Sequence, residues 1–403
     1  MKWTNVGHEF DTVGENLQKI EKIYFYGIGG NLKEIWEIIS EANSYFDNID
    51  FAFIDRNERV RNKGYAGNKI MSPDEFYNIV KEETKTYIVI SCPIGNVGEE
   101  IQELMVSNGI SKEKIISGFD FMFSYIPIYF MYKHNLLFFT SQNIVPSSAC
   151  NLNCRDCLNF NPYIKKPVIH SIEEEKRDVD LFFNAVDLIW RFQVTGGEPF
   201  LYPHFKDFLE YIHNNYKDKI LRLETVTNGT IVPSDELCNF LAEKKIFVFL
   251  DDYSMALDDK HKAIREDIEE KFKKYGVKYN NNYVDKWFKI YPRKDEFEGN
   301  LENFFSACDN PWSTVEGGKI TACNYSLYAH KAGLVNDCDT DYYNLVDFDE
   351  AKKKELLEFR LRYNKRGYTS FCEKCAGFSV INKNYYYPAI QSLERGYVNE
   401  VDK

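Results

Sequence analysis

The sequence predicts an α/β protein in which two β/α regions are followed by a small cysteine-rich α+β region. Strand-like apolar segments alternate with amphipathic helical segments across residues 1–125 and again across residues 136–290, and such alternation is typical of parallel sheets. After about residue 295 the alternation stops, and hairpin signals and cysteines take its place. We therefore expect three domains, over residues 1–125, 136–290 and 295–403.

The first region has the pattern of a parallel, doubly wound sheet with a glycine turn after its first strand. Gly27 and Gly29 lie between a strand and a helix, as in phosphate-binding turns, and Asp55 follows the next strand, where an acid can bind ribose. Leu32 stands where the dinucleotide fingerprint has its third glycine. The segment 54–74 resembles small Rossmann-like domains of sugar-nucleotide acyltransferases and sugar-modifying methyltransferases. A nucleotide-sugar-binding or docking role and a purely structural role both stay open.

The second region predicts a full or partial β/α barrel. Strand and helix patterns alternate from residue 143 to residue 250, and polar residues follow several strand ends. Because such barrels carry their sites at the C-terminal ends of the strands, we expect the functional side chains at that face. The third region differs, since Gly317-Gly318 separates two short extended segments and predicts a two-residue hairpin.

Charge and hydropathy argue against two classes of partner. The net charge of −12 does not suit a nucleic-acid partner, because phosphate binding needs clustered Lys and Arg. The most apolar stretch, residues 125–140, is interrupted by Lys133, His134 and Asn135, whereas a membrane span needs about 20 apolar residues. The N-terminal residues lack the apolar core of a secretory signal. We expect a cytoplasmic protein with no nucleic-acid or membrane partner.

The cysteines indicate a metal site. The chain has 10 cysteines, and in a cytosolic protein these point to metal binding or catalysis rather than to disulfides. Cys150, Cys154 and Cys157 form a CxxxCxxC triplet. Thiolates bind iron–sulfur clusters, and three ligands on a four-iron cube leave one iron open for a small molecule. A structural zinc site is the alternative, although zinc normally takes four ligands.

This triplet and the motif behind it resemble the radical S-adenosylmethionine (SAM) superfamily. That family carries the same CxxxCxxC spacing on the loop after the first strand of a partial (β/α)6 barrel, and a GGEP-type motif after the second strand. Here Gly196, Gly197, Glu198 and Pro199 follow the second predicted strand of the region. The resemblance implies a [4Fe–4S] cluster on the three cysteines and a GGEP-type segment that holds the amino group of SAM.

Two later segments extend the resemblance. Thr227 and Asn228 match the family's segment near the SAM ribose and carboxylate, and Asp251 matches a polar position near the ribose. A solvated acidic turn is the alternative for Asp251 and its neighbour Asp252. The chain departs from the family at Asp156, just before the third cysteine, where an aromatic residue usually packs near adenine. The resemblance therefore leaves the adenine contacts unassigned.

Four cysteines of the third region resemble the C-terminal extension called SPASM, or its shortened form, twitch. They are Cys308, Cys323, Cys372 and Cys375. No cysteine follows Cys375, which favours the twitch form with one auxiliary [4Fe–4S] cluster. Four thiolates can equally hold zinc. The resemblance to iron–sulfur enzymes favours iron.

Two more side chains are candidates for substrate chemistry. Cys338 can be a core or surface residue, a substitute ligand, or a donor of a hydrogen atom to the substrate. His330 follows the hairpin closely and can reach the substrate, although a lone His is more often structural. Neither assignment follows from the family motifs.

The resemblance implies a radical SAM enzyme that takes hydrogen from a C–H bond and so oxidises or epimerises its substrate. The Rossmann-like pattern of the first region favours a sugar, a cyclitol or a nucleotide-linked sugar as that substrate. The resemblance also implies an electron donor such as flavodoxin or ferredoxin. The main alternative substrate is a peptide, although residues 1–125 lack the pattern of a winged-helix peptide-recognition domain. An alternative of another class is a non-enzymatic iron–sulfur or zinc protein that senses redox state or binds a partner.

Overall fold

The computed structural model describes residues 3–92, 96–293 and 299–392. The chain divides into two compact units, one formed by Phe10–Thr140 and the other by Met1–Glu9 together with Ser141–Lys403. The first unit thus extends beyond the boundary expected near residue 125.

The N-terminal unit is built on a five-stranded parallel sheet. Its strands, in the order β3-β2-β1-β4-β5, are β1 (Lys22–Tyr26), β2 (Asp50–Ile54), β3 (Ile70–Met71), β4 (Thr86–Ile90) and β5 (Ile115–Ser117). Its helices are α1 (Asp11–Leu17), α2 (Leu32–Glu41), α3 (Glu58–Arg61), α4 (Pro73–Val80), α5 (Asn96–Ser107), α6 (Gly118–Asp120) and α7 (Ile126–His134). This order is that of the first five strands of the doubly wound dinucleotide-binding fold. The α/β class predicted for this region is confirmed.

Helix α7 explains why the N-terminal unit is longer than predicted. The Tyr132 hydroxyl donates to Asp11 Oδ1 of α1 at 2.6 Å. A Cβ on Gly14 would lie 2.2 Å from the Tyr132 ring, so the two helices pack at close range. The apolar stretch that the sequence placed between domains is therefore part of this unit.

The second unit contains a sheet of five strands among the described residues. The order is β10-β9-β8-β7-β6, and the strands are β6 (Phe138–Ser147), β7 (Leu188–Gly196), β8 (Ile220–Thr227), β9 (Phe247–Asp252) and β10 (Tyr279–Tyr283). Strands β7 to β10 pair in parallel. The intervening helices are α8 (Ile172–Ala185), α9 (Phe205–Tyr216), α10 (Asp235–Glu243) and α11 (Asp259–Tyr275). This is the repeating β/α arrangement predicted from the sequence.

Local signals place helix α8 against β7. Ser171 and Glu174 have the Ser-x-x-Glu spacing of a capping box in the sequence, and they form one at the start of α8. On its inner face Phe182 packs against Phe192 of β7, with ring centroids 5.4 Å apart, and both are fully buried. This packing holds α8 against the middle of β7.

The remaining elements of this unit are short. The strands are β11 (Trp287–Phe288), β12 (Val315–Glu316), β13 (Lys319–Thr321), β14 (Tyr342–Asn344) and β15 (Tyr385–Tyr386). The helices are α12 (Leu301–Ala307), α13 (Asn324–Lys331) and α14 (Lys353–Arg360). Strands β12, β13 and β14 form an antiparallel sheet, and β11 pairs with β15.

The β12–β13 turn is the hairpin predicted from the sequence. Gly317 and Gly318 have φ of +60° and +73°, and a two-residue turn with both φ values positive suits the twist of a hairpin. Their N–H groups donate to the Asp178 carboxylate of α8, at 2.6 and 2.8 Å. Asp178 thus attaches the hairpin to the barrel region.

In the described part of the chain, every helix is too short or too polar to cross a bilayer.

Replacing Asp178 by Ala should lower the free energy of unfolding by about 1–3 kcal/mol, because two amide donors lose their acceptor in a buried environment. Urea denaturation followed by circular dichroism measures this change. Glu266→Ala removes the same charge from an exposed position of α11 and should change the free energy by less than about 0.5 kcal/mol. Equal effects of the two substitutions would show that the hairpin bonds contribute nothing.

Candidate functional site

A cleft of about 470 Å³ opens at the C-terminal ends of β7, β8 and β9. We call this space the main cleft. The predicted site residues that line it are Cys150, Cys154, Cys157, Gly196, Gly197, Thr227, Asn228 and Asp251. The structure therefore brings the cysteine triplet and the three later motifs to one place, at the face where a β/α sheet carries its ligands.

The three cysteines of the triplet line the main cleft, Cys154 buried and Cys150 and Cys157 half-buried. The pKa of Cys150 and that of Cys154 are raised to about 12, mainly by burial and in smaller part by the nearby Cys157. The Leu152 N–H donates to Cys150 Sγ at 3.4 Å. Neighbouring buried thiols cannot all ionise unless a cationic centre compensates their charge. The donor set therefore fits a metal cluster.

Gly196 and Gly197 form the contact between β7 and the start of the cysteine loop. A Cβ on Gly197 would lie 2.3 Å from the Ala149 carbonyl oxygen, and one on Gly196 would lie 2.4 Å from that of Ser147. The N–H groups of Gly197 and Glu198 donate to the same two carbonyls, Ser147 and Ala149, at 2.9 and 2.8 Å. Glycine is thus required here for backbone packing, in addition to any close approach of a ligand.

Glu198 ties this segment to the end of β8. Its carboxylate accepts the Thr227 hydroxyl at 2.9 Å and the Asn228 N–H at 2.8 Å, and burial raises its pKa to about 7. Glu198 and Pro199 are not among the residues that line the main cleft. Of the four motif residues, the two glycines are the ones that face it.

A polar network joins the cysteine loop to the segment after β8. Asn228 Nδ2 donates to Asn151 Oδ1 at 3.0 Å and lies 3.7 Å from Cys150 Sγ. Asn151 Nδ2 in turn donates to Thr230 Oγ1 at 2.7 Å. At the far end of the loop, Asn159 Nδ2 donates to the last carbonyl of β7 at 2.7 Å. These bonds fix both ends of the loop.

Asp251 lies in the wall of the cleft and is held by two donors. The Tyr253 hydroxyl donates to it at 2.6 Å and Asn282 Nδ2 at 2.7 Å, while burial raises its pKa to about 6. Its neighbour Asp252 accepts the Ser254 N–H at 2.9 Å and lies 3.8 Å from Arg265. The two acids therefore differ, and Asp251 is the one in the cleft.

Asp156 stands just before the third cysteine, where the family usually has an aromatic residue, and it does not line the main cleft. Asp156 pairs with Arg155 at 3.0 Å and with Lys289 at 3.7 Å, and it lines a separate small cavity. Aromatic side chains from other segments line the main cleft instead, and two of them pack against each other. These two are Tyr253 and Trp287, whose ring centroids lie 5.4 Å apart. Sequence reasoning missed both, because no motif surrounds them.

Arg191, which lines the main cleft, belongs to a group of three charged residues that sequence reasoning also missed. Arg191 of β7 and Arg222 of β8 both bind Glu224, which is fully buried, at 2.8 and 2.9 Å. The Arg191 guanidinium also lies 4.8 Å from the centroid of the Trp312 ring. The sequence feature that could have indicated this group is the alternation of charged and apolar residues along neighbouring strands.

The four cysteines of the third region line a second cavity, which we call the auxiliary cavity. These are Cys308, Cys323, Cys372 and Cys375. Asn310 Nδ2 donates to Cys323 Sγ at 3.3 Å, and the Gly377 N–H donates to Cys375 Sγ at 3.2 Å. Burial raises the pKa of Cys323 to about 11 and that of Cys372 to about 12. The cysteines predicted to form one site therefore do surround one space.

Arg293 holds the CxxC turn of the auxiliary cavity. Its guanidinium donates to the carbonyl of Cys372 at 2.7 Å and to that of Cys375 at 2.8 Å, and it lies 4.6 Å from the centroid of the Phe304 ring. A cation beside four thiolates would offset their negative charge. Nothing in the sequence around Arg293 marks it for this contact.

Cys338 and His330 lie outside both cavities. Cys338 Sγ contacts Thr340 Oγ1 at 3.1 Å and Arg366 at 3.9 Å. His330 Nδ1 lies 3.8 Å from Asp337, and the side chain is 38% exposed. Neither residue lines the main cleft or the auxiliary cavity. Their roles in substrate chemistry remain predictions.

The surroundings of the two cysteine sets fit iron–sulfur clusters. Among the residues that the structure describes, no three His, Cys, Asp or Glu side chains are grouped to hold a single metal ion. Each cysteine set nevertheless lines a cavity, consists of buried and half-buried residues, and has N–H donors on its sulfur atoms. Hydrogen bonds to the sulfurs and shielding from solvent are the features by which proteins stabilise such clusters.

Comparison with known proteins decides the family of the barrel region. Residues 144–284 match the Radical SAM superfamily. The chain carries a radical SAM domain. Over 89 residues it is also 33% identical to the antilisterial bacteriocin subtilosin biosynthesis protein AlbA of Bacillus subtilis (strain 168). That match covers 22% of this chain and 18% of AlbA, so the chain spans less than a fifth of this curated relative.

Several solved structures are similar to this chain at low identity. Native anSMEcpe with bound AdoMet is 19% identical, with a TM-score of 0.40, over 57% of this chain and 84% of that one. Streptococcus suis SuiB is 19% identical, with a TM-score of 0.30, over 43% and 38%. BtrN in complex with AdoMet and 2-DOIA is 15% identical, with a TM-score of 0.38, over 62% and 98%.

Replacing Gly197 by Ala should prevent cluster binding, because the new Cβ would meet two backbone carbonyls of the cysteine loop, which cannot move away as a side chain can. Iron and sulfide content after anaerobic reconstitution measures this, with a loss of at least half of the iron of the cysteine triplet expected. Gly29→Ala is the matched control, since nothing lies within 4 Å of a Cβ at that position. Normal iron content in the Gly197 variant would contradict the packing argument.

The apoprotein should become less stable as pH rises, because the buried Glu198 carboxyl then loses its proton. Burial raises the pKa of Glu198 to about 7 from the ordinary value of 4.5, so between these values the folded chain keeps a proton that the unfolded chain has released. This contribution to stability is complete below pH 4.5 and is lost as pH rises through 7, with a slope of at most about 1.4 kcal/mol per pH unit. Glu198→Gln should remove that slope in urea titrations, whereas Glu266→Gln, at an exposed position, should retain it. An unchanged slope in the Glu198 variant would exclude this residue as its source.

Proposed function

We propose that this protein is a radical SAM enzyme that oxidises a C–H bond of a small, hydroxyl-rich substrate. The observation that supports it most is the convergence of Cys150, Cys154 and Cys157 with the three later motifs in one cleft. These cysteines would hold a [4Fe–4S] cluster with one open iron. A non-enzymatic redox sensor or zinc protein would have no use for the strand-end motifs that share this cleft.

The chemistry that the bound cluster supplies is one-electron cleavage of SAM, which yields methionine and a radical able to take hydrogen from a C–H bond. The chain's own residues position SAM. Gly196 and Gly197 face the cleft and would receive its amino group, and Asp251 lies where it would bind a ribose hydroxyl. Tyr253 and Trp287 offer ring faces or edges for adenine, in place of the aromatic residue absent at Asp156.

The position of the auxiliary cavity favours oxidation over epimerisation. Tyr325 and Phe378 line both the main cleft and the auxiliary cavity, so a substrate in the cleft would lie one side-chain layer from the second cysteine set. A redox-active [4Fe–4S] cluster there would be close enough to accept the electron that remains on the substrate. Epimerisation needs a nearby hydrogen donor, and Cys338 lies outside the main cleft.

The floor of the main cleft supports a sugar, a cyclitol or a nucleotide-linked sugar as substrate. Hydrogen-bonding side chains line it from several segments, including Asn143, Arg191, Gln193 and Asn324. Trp312 adds an apolar ring face beside them. Donors and acceptors around an aromatic face are the combination that binds a ring carrying many hydroxyl groups.

A peptide is the second candidate substrate. The match to AlbA, whose name describes the biosynthesis of the bacteriocin subtilosin, favours it. With either substrate, the cluster would need an electron donor such as flavodoxin or ferredoxin. We place the reaction in the cytoplasm. Sugars and cyclitols on one side and peptides on the other are therefore the two groups of compounds to test.

Anaerobic reconstitution with iron and sulfide, followed by reductant and SAM, tests this proposal. We expect 5′-deoxyadenosine as a product, and its formation should rise when a true substrate from either group is added. Fully reconstituted protein that formed no 5′-deoxyadenosine would contradict the proposal.

The two cysteine sets should have different roles. Cys154→Ser should abolish 5′-deoxyadenosine formation, because it removes one of three ligands of the SAM cluster. Cys323→Ser should preserve SAM cleavage but abolish formation of the oxidised product. Chromatography of both products from each variant measures this, with Cys238→Ser, a buried cysteine of α10 outside both cavities, as the control. Identical behaviour of the first two variants would exclude a division of labour.

A further inference from the structure

The C-terminal segment 389–392 lies along the cysteine loop, although it belongs to none of the motifs. The Arg155 N–H donates to the Ile390 carbonyl at 2.7 Å, and the Ser392 N–H donates to the Asn153 carbonyl at 2.6 Å. Cys154 and the residue opposite it, Gln391, form an antiparallel bridge. The loop that carries the triplet is thus paired with a short extended segment from the other end of the unit's sequence.

Packing adds to these hydrogen bonds. Ala389 is 1% exposed and lies in one apolar cluster with Leu152, Cys154 and Tyr253. Cys154 itself is only 9% exposed. The segment therefore closes one side of the cysteine loop.

The side chain of Gln391 is oriented by two bonds and offers a third to a sulfur. Its Oε1 accepts the Asn153 N–H at 2.7 Å, and its Nε2 donates to the Ala389 carbonyl at 2.7 Å. The same nitrogen lies 3.6 Å from Cys154 Sγ, within the range of an N–H···S hydrogen bond. An amide nitrogen carries two hydrogens, so both bonds can form together.

We propose that Gln391 is a positioning residue of the radical cluster, which donates an N–H···S hydrogen bond to Cys154 and raises the reduction potential of the cluster. The inference rests on the proposed function, because it requires a [4Fe–4S] cluster on the triplet. A hydrogen bond to a ligating sulfur stabilises the reduced, more negative cluster, and this is one of the means by which proteins set its potential. Gln391 thereby makes the cluster easier for an electron donor to reduce.

The test is a redox titration of the reconstituted full-length protein, followed by electron paramagnetic resonance. The signal that changes when SAM is added reports the cluster on the triplet, and any signal unaffected by SAM serves as an internal control. Gln391→Leu removes both donor and acceptor, whereas Gln391→Glu keeps an acceptor for the Asn153 N–H and loses the donor. Tyr387→Ala, two residues before this segment, is the control, since the Tyr387 side chain is 63% exposed.

We expect both Gln391 variants to shift the SAM-responsive signal to lower potential, with the other signal and the Tyr387 variant unchanged. An unshifted potential in Gln391→Leu at wild-type iron content would overturn the proposal. A wild-type potential in Gln391→Glu, with a shift in Gln391→Leu, would also overturn it, because docking through Asn153 would then explain the effect.

Loss of the cluster gives two further outcomes. If both Gln391 variants lose triplet iron while their thermal unfolding is unchanged, the positioning role is supported. If they lose iron and unfold at lower temperature, the residue is merely structural and the proposal fails. A wild-type protein with no SAM-responsive signal would contradict the proposed function itself, which is a separate result.

Discussion

The close backbone contact between the end of β7 and the start of the cysteine loop is the constraint on which the site depends. Gly196 and Gly197 leave no room for a Cβ against the carbonyls of Ser147 and Ala149. The backbones therefore meet directly and hydrogen-bond. Glu198 is the next residue along the chain, and its carboxylate binds the end of β8. The short segment from Gly196 to Glu198 therefore holds the cysteine loop and the ends of two strands together. The proposed cluster ligands and SAM-binding groups then share one rigid frame.

Both cysteine sets face the same electrostatic problem and meet it in similar ways. Buried thiols resist ionisation, so each set would need the positive charge of its metal atoms and nearby donors to become a set of thiolate ligands. At the triplet, these donors are amides from the loop, from Asn228 and from Gln391. At the auxiliary cavity they come from Asn310 and a backbone amide, and Arg293 adds a full positive charge nearby. A positive charge beside the auxiliary set would stabilise a reduced cluster there, which agrees with the proposed role of electron acceptor.

The N-terminal unit has the strand order of a dinucleotide-binding fold but uses its acid differently. Asp55, at the end of β2, accepts the N–H of Ile28 at 2.9 Å and that of Asn57 at 2.7 Å. Its carboxylate therefore closes the glycine turn, where a dinucleotide-binding domain would leave it for ribose. Cys92 fills the space beside Gly27, since a Cβ there would lie 2.4 Å from the Cys92 sulfur. Of the two roles left open by the sequence, these contacts favour the structural one.

The sequence was most informative where neighbours along the chain determine the structure. The β/α alternation, the capping box at Ser171 and the Gly317-Gly318 hairpin depend on local patterns, and the structure contains each of them. The groups that sequence reasoning missed depend on contacts between distant segments. Trp287 enters the cleft more than a hundred residues after Asp156, and Gln391 reaches Cys154 from the far end of the unit. Neither Trp287 nor Gln391 has a chemically distinctive neighbour along the chain, because the role of each is set by the residue it meets after folding. A motif can therefore show where a cluster binds, whereas the residues that adjust its properties emerge only from the packing of distant segments around it.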